Sequence, residues 1–258
     1  MNAMSPQLPS RSALESIENF PSFERAAPFL EKLIVERGYK SIADAGGGAN
    51  PLLDAAFIER NKIDYFVLDM SAAELKKTRA SCKTIEVNVT GDGEEFRRST
   101  AGRKFDLIIS HMLLEHLDDP LQAHRNFFDA LNRGGRCVHI YPSPNNLPLA
   151  LNRLLPEAVS SRLLELAQPG RDLGGASRKF KAYYRMCGAP NRQLAATFEK
   201  LGYAVVQHTG YVGHTYYERC EPAAALERRL RKIILKFQWP LTCGCLLILQ
   251  KPVQAATI

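Results

Sequence analysis

Apolar residues recur along this chain in two rhythms. Short runs that are β-branched or almost continuously apolar (Ser41 to Ala45, Asp64 to Asp69, Lys83 to Val89, Phe105 to Ser110, Arg136 to Tyr141) alternate with stretches of helical spacing. Those stretches are Pro51 to Arg60, Ala72 to Thr78, Glu94 to Thr100 and Asp119 to Leu131. Runs without a polar face predict strands covered on both sides. Strand and helix in turn predict an α/β fold, a parallel, doubly wound sheet with right-handed crossovers. Ahead of it, Ser12 to Asn19 predicts a short helix. Ser22 to Arg37 predicts a longer one, with Phe23, Ala26, Ala27, Leu30, Leu33 and Ile34 on one face, Ser22 as cap and Gly38 as stop.

After Tyr141 the rhythm breaks at the turn cluster Pro142-Ser143-Pro144-Asn145-Asn146. Residues 147 to 190 hold apolar helical stretches, Leu147 to Leu155 and Val159 to Leu166, and a glycine-rich joint at Gly170 to Gly175. This is too long and too apolar for a loop and predicts an inserted helical cap. Alternation resumes with a helix at Asn191 to Leu201, a strand at Tyr203 to Tyr211, a basic helix at Pro222 to Gln238 and a strand at Leu241 to Gln250. The chain therefore divides into N-terminal helices at 1–40, a core at 41–142, a cap at 143–190 and a C-terminal completion of the core sheet at 191–258. The sheet is expected to be mostly parallel and seven-stranded.

Composition narrows the class. The 258 residues suffice for one large α/β domain with a decoration, and 45% hydrophobic with 24% charged content suits a globular protein. No apolar run approaches the roughly 20 residues that span a bilayer. Met1 to Arg11 is polar and proline-containing, without an apolar signal core, so a cytoplasmic location is expected. Residues 1 to 10 are expected to be disordered. Six cysteines are scattered, and Cys137, Cys243 and Cys245 lie in apolar runs, which predicts small buried hydrophobes. Cys243-Gly244-Cys245 has no second Cys or His pair at zinc spacing, so no metal is expected.

The candidate chemistry begins at Asp44-Ala45-Gly46-Gly47-Gly48-Ala49-Asn50, directly after the first strand. Glycines let a ligand approach backbone without Cβ interference. A short helix expected from Pro51 would offer N–H groups to a negative group. Some way on, Asp69 ends the apolar run Tyr65-Phe66-Val67-Leu68, where a carboxylate can hold ribose hydroxyls. The plainer alternatives are that Gly46 and Gly48 serve only a tight turn and that Asp69 caps the next helix. A nicotinamide dinucleotide calls for G-x-G-x-x-G, and the third glycine is missing here. Asp44 would repel phosphates and suits an ammonium, directly or through water, while the glycine N–H groups suit a carboxylate. S-adenosylmethionine carries both.

With these residues the chain resembles the class I S-adenosylmethionine-dependent methyltransferases over about residues 40 to 142. Asp44 to Asn50 resembles their first motif, with Asn50 in place of the last glycine. Leu68-Asp69-Met70-Ser71 resembles the second. Phe105-Asp106-Leu107-Ile108-Ile109-Ser110, then Leu114-Glu115-His116-Leu117 and Asp119-Pro120, resembles the fourth, and Leu131-Asn132-Arg133-Gly134-Gly135-Arg136 the entry to the fifth strand. The resemblance implies a Rossmann-like fold and S-adenosylmethionine held by Asp44, Gly46, Gly47, Gly48, Asp69, Met70 and Ser110. Asp69 would grip ribose and Met70 pack on adenine. The adenine amino group would be met by Asn88, or by Asp92 in its place; the Asn88 amide oxygen can accept that bond.

The acceptor site of such a sheet lies beyond the carboxyl ends of its strands. His111 leaves the fourth strand there, a candidate pocket residue and catalytic base, and Tyr141 leaves the fifth on the same side. His116 follows in the ensuing turn, a place the family often uses structurally, and mid-strand His139 is expected in the core. Phe180, Tyr183 and Tyr184 in the cap suit a sugar or flat organic acceptor, or form the cap's own core. Ser110-His111-Met112-Leu113 stands where base N-methyltransferases carry Asn/Asp-Pro-Pro-Tyr, which argues against that route and against a nucleic-acid partner. The segment Lys179 to Arg185 loosely resembles enzymes of surface-glycan and lipid pathways.

Much of the net charge of +7 lies between Arg219 and Lys236, with six basic and two acidic residues. Leu226, Leu230, Ile233, Ile234 and Phe237 make an apolar stripe opposite Arg228, Arg229, Arg231 and Lys232. The stripe packs on the sheet, or the region Arg228–Lys236 meets an anionic membrane or a lipid-linked acceptor. The function expected is methyl transfer from S-adenosylmethionine to a small-molecule or glycan acceptor. An NAD(P)-dependent oxidoreductase and a non-catalytic binding relative are the alternatives. The sequence leaves the oligomeric state open.

Overall fold

The computed structural model describes residues 11–21, 23–79, 82–145, 181–213 and 221–253. The expectations for residues 1–10, the helical stretches and glycine joint of the cap, and Phe180 lie outside the described residues. Eight strands form one sheet: β1 (Arg11–Ser16), β2 (Ser41–Ala45), β3 (Asp64–Asp69), β4 (Lys83–Glu86), β5 (Phe105–His111), β6 (Leu131–Pro142), β7 (Ala204–Val212) and β8 (Gly244–Gln250). Their order is β1-β7-β8-β6-β5-β2-β3-β4. All pairs are parallel except those of β8 with β6 and β7. The described helices are α1 (Ala26–Arg37), α2 (Ala55–Arg60), α3 (Ala72–Leu75), α4 (Gly93–Ser99), α5 (Pro120–Ala130), α6 (Arg192–Lys200) and α7 (Glu221–Phe237).

Successive side chains of a strand point to opposite faces, and both faces here are apolar. On one side Ala43, Ala45, Phe66, Leu68, Phe105, Ile108, Cys137, Tyr141, Cys245 and Leu247 pack with Phe96 of α4, Phe127 of α5 and Phe198 of α6. On the other Ile42, Tyr65, Val67, Leu107, Ile109, Val138 and Ile140 pack with Leu30 and Ile34 of α1 and Phe57 of α2. Burying these rows supplies the main driving force for the fold. Cys137 and Cys245 are fully buried within their strands. Helix α1 stops where Gly38 takes φ 68°, a left-handed cap.

The first expected helix is not one. Residues 11 to 16 form β1, parallel to β7 in the register Arg11↔Gln207 to Ser16↔Val212, followed by a short 3₁₀ turn at Ile17–Asn19. A six-residue segment has weak helical preference of its own, whereas β7 offers a row of backbone groups that pairing satisfies. The sheet therefore has eight strands rather than seven. Strand β4 ends at Glu86 rather than Val89 because, after the bond from the Val87 N–H to the Asp69 carbonyl, the chain turns at Asn88 to Gly91.

Three buried histidines tie stability to pH. His124, His139 and His208 are almost wholly excluded from solvent. Burial pulls His124 and His208 down to about 4 and His139 well below its ordinary value. Each must bind a proton more readily when unfolded, so their contribution is full above about pH 6.5 and is lost as pH falls toward 4. Calorimetric melting of wild type and His124→Phe from pH 7 to pH 4 checks this. The variant is expected to lose melting temperature less steeply on acidification.

Candidate active site

The site sits where the chain reverses its direction of travel across the sheet. Strand β2 lies between β3 and β5, so β2 to β4 run one way and β5 to β6 the other, a crevice at the carboxyl ends of β2 and β5. Gly46 opens the loop there with φ 74°, its N–H donating to the Leu68 carbonyl at 2.7 Å. All three glycines are hemmed in. A Cβ on Gly46 would stand 2.8 Å from Leu113 Cδ1, one on Gly47 2.9 Å from Asp44 Cγ, and one on Gly48 3.1 Å from Asp69 Oδ2. Asn50 is not among the positive-φ residues. Its N–H closes a turn onto the Gly47 carbonyl, so no left-handed residue is needed there.

Asp44 braces this loop from beneath. It is 1% exposed, and its Oδ2 accepts from the Leu52 N–H at 2.9 Å and from the Tyr65 hydroxyl. Burial pushes its carboxyl up to about 6, against those two bonds. The helix expected from Pro51 begins only at Ala55. The Leu52 and Leu53 N–H groups, which would have faced a ligand from a helix start, are spent on Asp44 and Tyr65. Asp44 thus supports the loop instead of lining the crevice.

Asp69 is half-buried at the end of β3. Its Oδ1 accepts from the Ser71 N–H at 2.8 Å, and its Oδ2 faces Gly48. Ser71, not Asp69, caps α3 through the Glu74 N–H. Burial raises the Asp69 pKa, and the Glu74 carboxylate pushes the same way. Met70 beside it is 68% exposed, an apolar side chain at the crevice lip. Both candidates for the adenine edge already accept local hydrogen bonds. Asn88 Oδ1 accepts from the Thr90 N–H and hydroxyl, and Asp92 caps α4. Ser110 is buried, and its hydroxyl pairs with His139 Nδ1 at 2.8 Å, which puts both in the core.

The fourth motif folds into a turn that touches both the glycine loop and the segment 181–185. His111 ends β5 half-buried, and burial lowers its pKa, so it is neutral at neutral pH. Met112 follows at φ 57°, sending Leu113 onto Gly46. Leu114–His116 is one 3₁₀ turn. The Glu115 carbonyl accepts from the Tyr183 and Tyr184 N–H groups at 2.7 and 3.0 Å. His116 Nδ1 lies 3.1 Å from the Lys181 carbonyl, and Arg185 Nη1 donates to the Asp118 carbonyl. The segment 181–185 is thereby strapped to the turn, with the Tyr183 ring exposed between Lys181 and Arg185. Tyr184 packs against the core. Tyr141, expected to line the pocket, is instead fully buried. Its hydroxyl lies 3.0 Å from His208 Nε2, because β7 and β8 cover that end of β6.

The residue that sequence reading passed over is Glu115. Its side chain is buried, its Oε2 has no hydrogen-bond partner, and burial pushes its carboxyl up to about 7. The only signal was an acid set in the apolar run Met112 to Leu117.

A sequence profile for a methyltransferase domain matches residues 16–208, three quarters of the chain. The chain belongs to this family, the class I S-adenosylmethionine-dependent methyltransferases. An S-adenosylmethionine-dependent methyltransferase from Archaeoglobus fulgidus is similar in fold, with TM-score 0.50 and 13% identity, over 87% of this chain and 94% of that one. One from Mesorhizobium loti gives 0.49 and 16%, over 86% and 95%. No curated protein sequence matches. The family settles the cofactor of this methyltransferase as S-adenosylmethionine rather than a nicotinamide. The geometry fits it: the glycine loop carries no side chains and is packed against Leu113, Asp44 and Asp69, and the Asp69 carboxylate and Met70 stand at the end of β3 beside the crevice.

Glu115 makes a pH prediction. Its folded pKa near 7 lies above the unfolded 4.5, so its contribution to stability is full at low pH and is lost as pH rises through about 7. Glu115→Gln, which mimics the protonated acid, should gain melting temperature over wild type between pH 6 and pH 8. Parallel curves would show that the carboxyl ionises without cost.

Proposed function

We propose that this methyltransferase acts on a small-molecule or glycan acceptor, free or lipid-linked, held against the joined surface of the turn after β5 and the strap at 181–185. What supports the reading is that this single turn, Leu113 to His116, contacts the glycine loop through Leu113 and the strap through Glu115 and His116. Cofactor and acceptor sides are thereby fixed relative to each other.

When bound, the cofactor supplies an electrophilic methyl group on a sulfonium. The chain's part is alignment, which can supply several kcal/mol. Asp69 would hold the ribose, Met70 would cover the adenine, and the Gly46 to Gly48 backbone would receive the amino-acid end. Gly47 rides on Asp44, so the buried acid sets the loop's height over β2. Asn88 meets the adenine edge only by giving up its bonds to Thr90. His111, kept neutral by burial, accepts the proton of a hydroxyl acceptor. Tyr183 and Tyr184 border the acceptor space.

Calorimetry with S-adenosylhomocysteine and with NAD tests the cofactor side. Wild type should bind the first and not the second. Asp69→Ala should weaken binding by roughly 1–3 kcal/mol, the range for leaving a buried polar group unpaired. Unchanged affinity removes Asp69 from the ribose site. Labelled-methyl transfer into polar and lipid extracts tests the acceptor. His111→Ala should lower the rate about 10²–10⁴-fold without loss of S-adenosylhomocysteine affinity.

A further inference from the structure

Helix α7 is built inside out. The side it lays on the sheet carries Ala224, Glu227, Arg231 and Ile234. Arg231 forms ion pairs with Glu227 and with Glu18, donates to Ser16 Oγ, and crosses Gly213, where a Cβ would stand 2.6 Å from its Nε. Glu227 and Arg231 are only 12% and 11% exposed. The apolar stripe expected to be buried faces outward. Leu226, Leu230, Ile233 and Phe237 are all exposed, and only Ile234 of that set is covered. Trp239 continues the stripe, stacked on Phe237 with ring centroids 5.7 Å apart.

The surplus charge on the exposed side is positive. Glu227 is turned inward to Arg231, and Glu221 is paired with Arg228. Arg229, Lys232 and Lys236 are exposed, and Arg229 and Lys236 stand one turn before and after Ile233 on the edge of the stripe. Exposed Leu, Ile, Phe and Trp beside a row of Lys and Arg is the chemistry of a helix lying in the interface of an anionic bilayer. A protein partner would have to be apolar and acidic at once to match the stacked Phe–Trp pair and the cations beside it. A lipid surface supplies both as a matter of course.

The helix also has the right place. Register pairs Tyr211 at the end of β7 with Gly244 at the start of β8. The chain therefore leaves the sheet before α7 and returns after it at the same end, and Arg231 meets Ser16, the last residue of β1. Because β1, β7, β6, β5 and β2 all point the same way, this is the end that carries the glycine loop.

We infer that α7 docks this methyltransferase on an anionic lipid surface through Leu226, Leu230, Ile233, Phe237 and Trp239, with Arg229, Lys232 and Lys236 on the headgroup phosphates. The docking is independent of the acceptor. That it favours a lipid-linked acceptor rests on the function proposed above.

Co-sedimentation of the full chain with vesicles of phosphatidylcholine alone, or mixed with phosphatidylglycerol, tests the docking, with S-adenosylhomocysteine calorimetry and circular dichroism on every variant. The expected result is binding to the mixed vesicles and not to neutral ones, weakening with salt. Leu230→Asp with Phe237→Ser should abolish it. Arg229→Gln with Lys236→Gln should lower partitioning on the order of 30-fold, two charges at the surface each worth about fivefold. Cofactor affinity should stay unchanged in both. No binding by wild type, binding equal on neutral vesicles, or binding indifferent to both variants overturns the proposal. A dimer in light scattering that Leu230→Asp dissolves, without vesicle binding, assigns the stripe to a second copy instead. Loss of cofactor binding in wild type would strike the methyltransferase reading and leave the docking result standing.

Discussion

The site depends on a backbone held too close to its neighbours for any side chain. At the end of β2 the chain must turn between the tips of β3 and β5. A Cβ on Gly46 or Gly47 would stand under 3.0 Å from Leu113 or Asp44, and one on Gly48 3.1 Å from Asp69. This closeness is what brings the Asp69 carboxylate against the loop. It also passes the position of the turn after β5 directly to the loop, through Leu113. A methyl-transfer site built mainly on alignment needs such rigidity more than it needs reactive groups.

The carboxylates of the sheet and of the turn after β5 divide by purpose. Asp44 spends its oxygen on Leu52 and Tyr65 and so supports the loop, and Asp106 at the opposite end of the sheet binds the Lys40 and Ser41 N–H groups and joins strands. Both are satisfied. Glu115 is not, and its buried carboxyl lies in the turn whose carbonyl carries the strap. Buried polar groups are normally paired, and a departure of this kind marks a place where the fold has been bent to something other than stability.

The outer edge of the sheet follows a different logic. β1 adds a parallel strand to β7, and α7 crosses the end of that pair on an ion-paired rather than an apolar face. Placing Arg231 and Glu227 against the sheet leaves the hydrophobic residues of the helix outside. Exposed apolar stripes of this kind mark contact surfaces.

Period and punctuation in the sequence determined the alternation of strands and helices from β2 to α5, the two apolar faces of the sheet and the place of the glycine loop, because strand and helix spacing and glycine freedom are local properties. The four ordered motifs likewise identified the methyltransferase family, and they placed Asp69 and Met70 beside the loop. Tertiary structure alone decided the rest. Residues 11 to 16 became a strand because β7 had an edge to fill, and pairing between distant segments leaves no trace in a six-residue window. Ser110 and Tyr141 were spent on His139 and His208, since a polar atom takes whatever partner folding brings within reach. The direction in which α7 turned its stripe was settled by Ser16 and Glu18, residues far from it along the chain, with Gly213 leaving room for Arg231. Helical spacing shows that a face exists, and only packing shows what it meets.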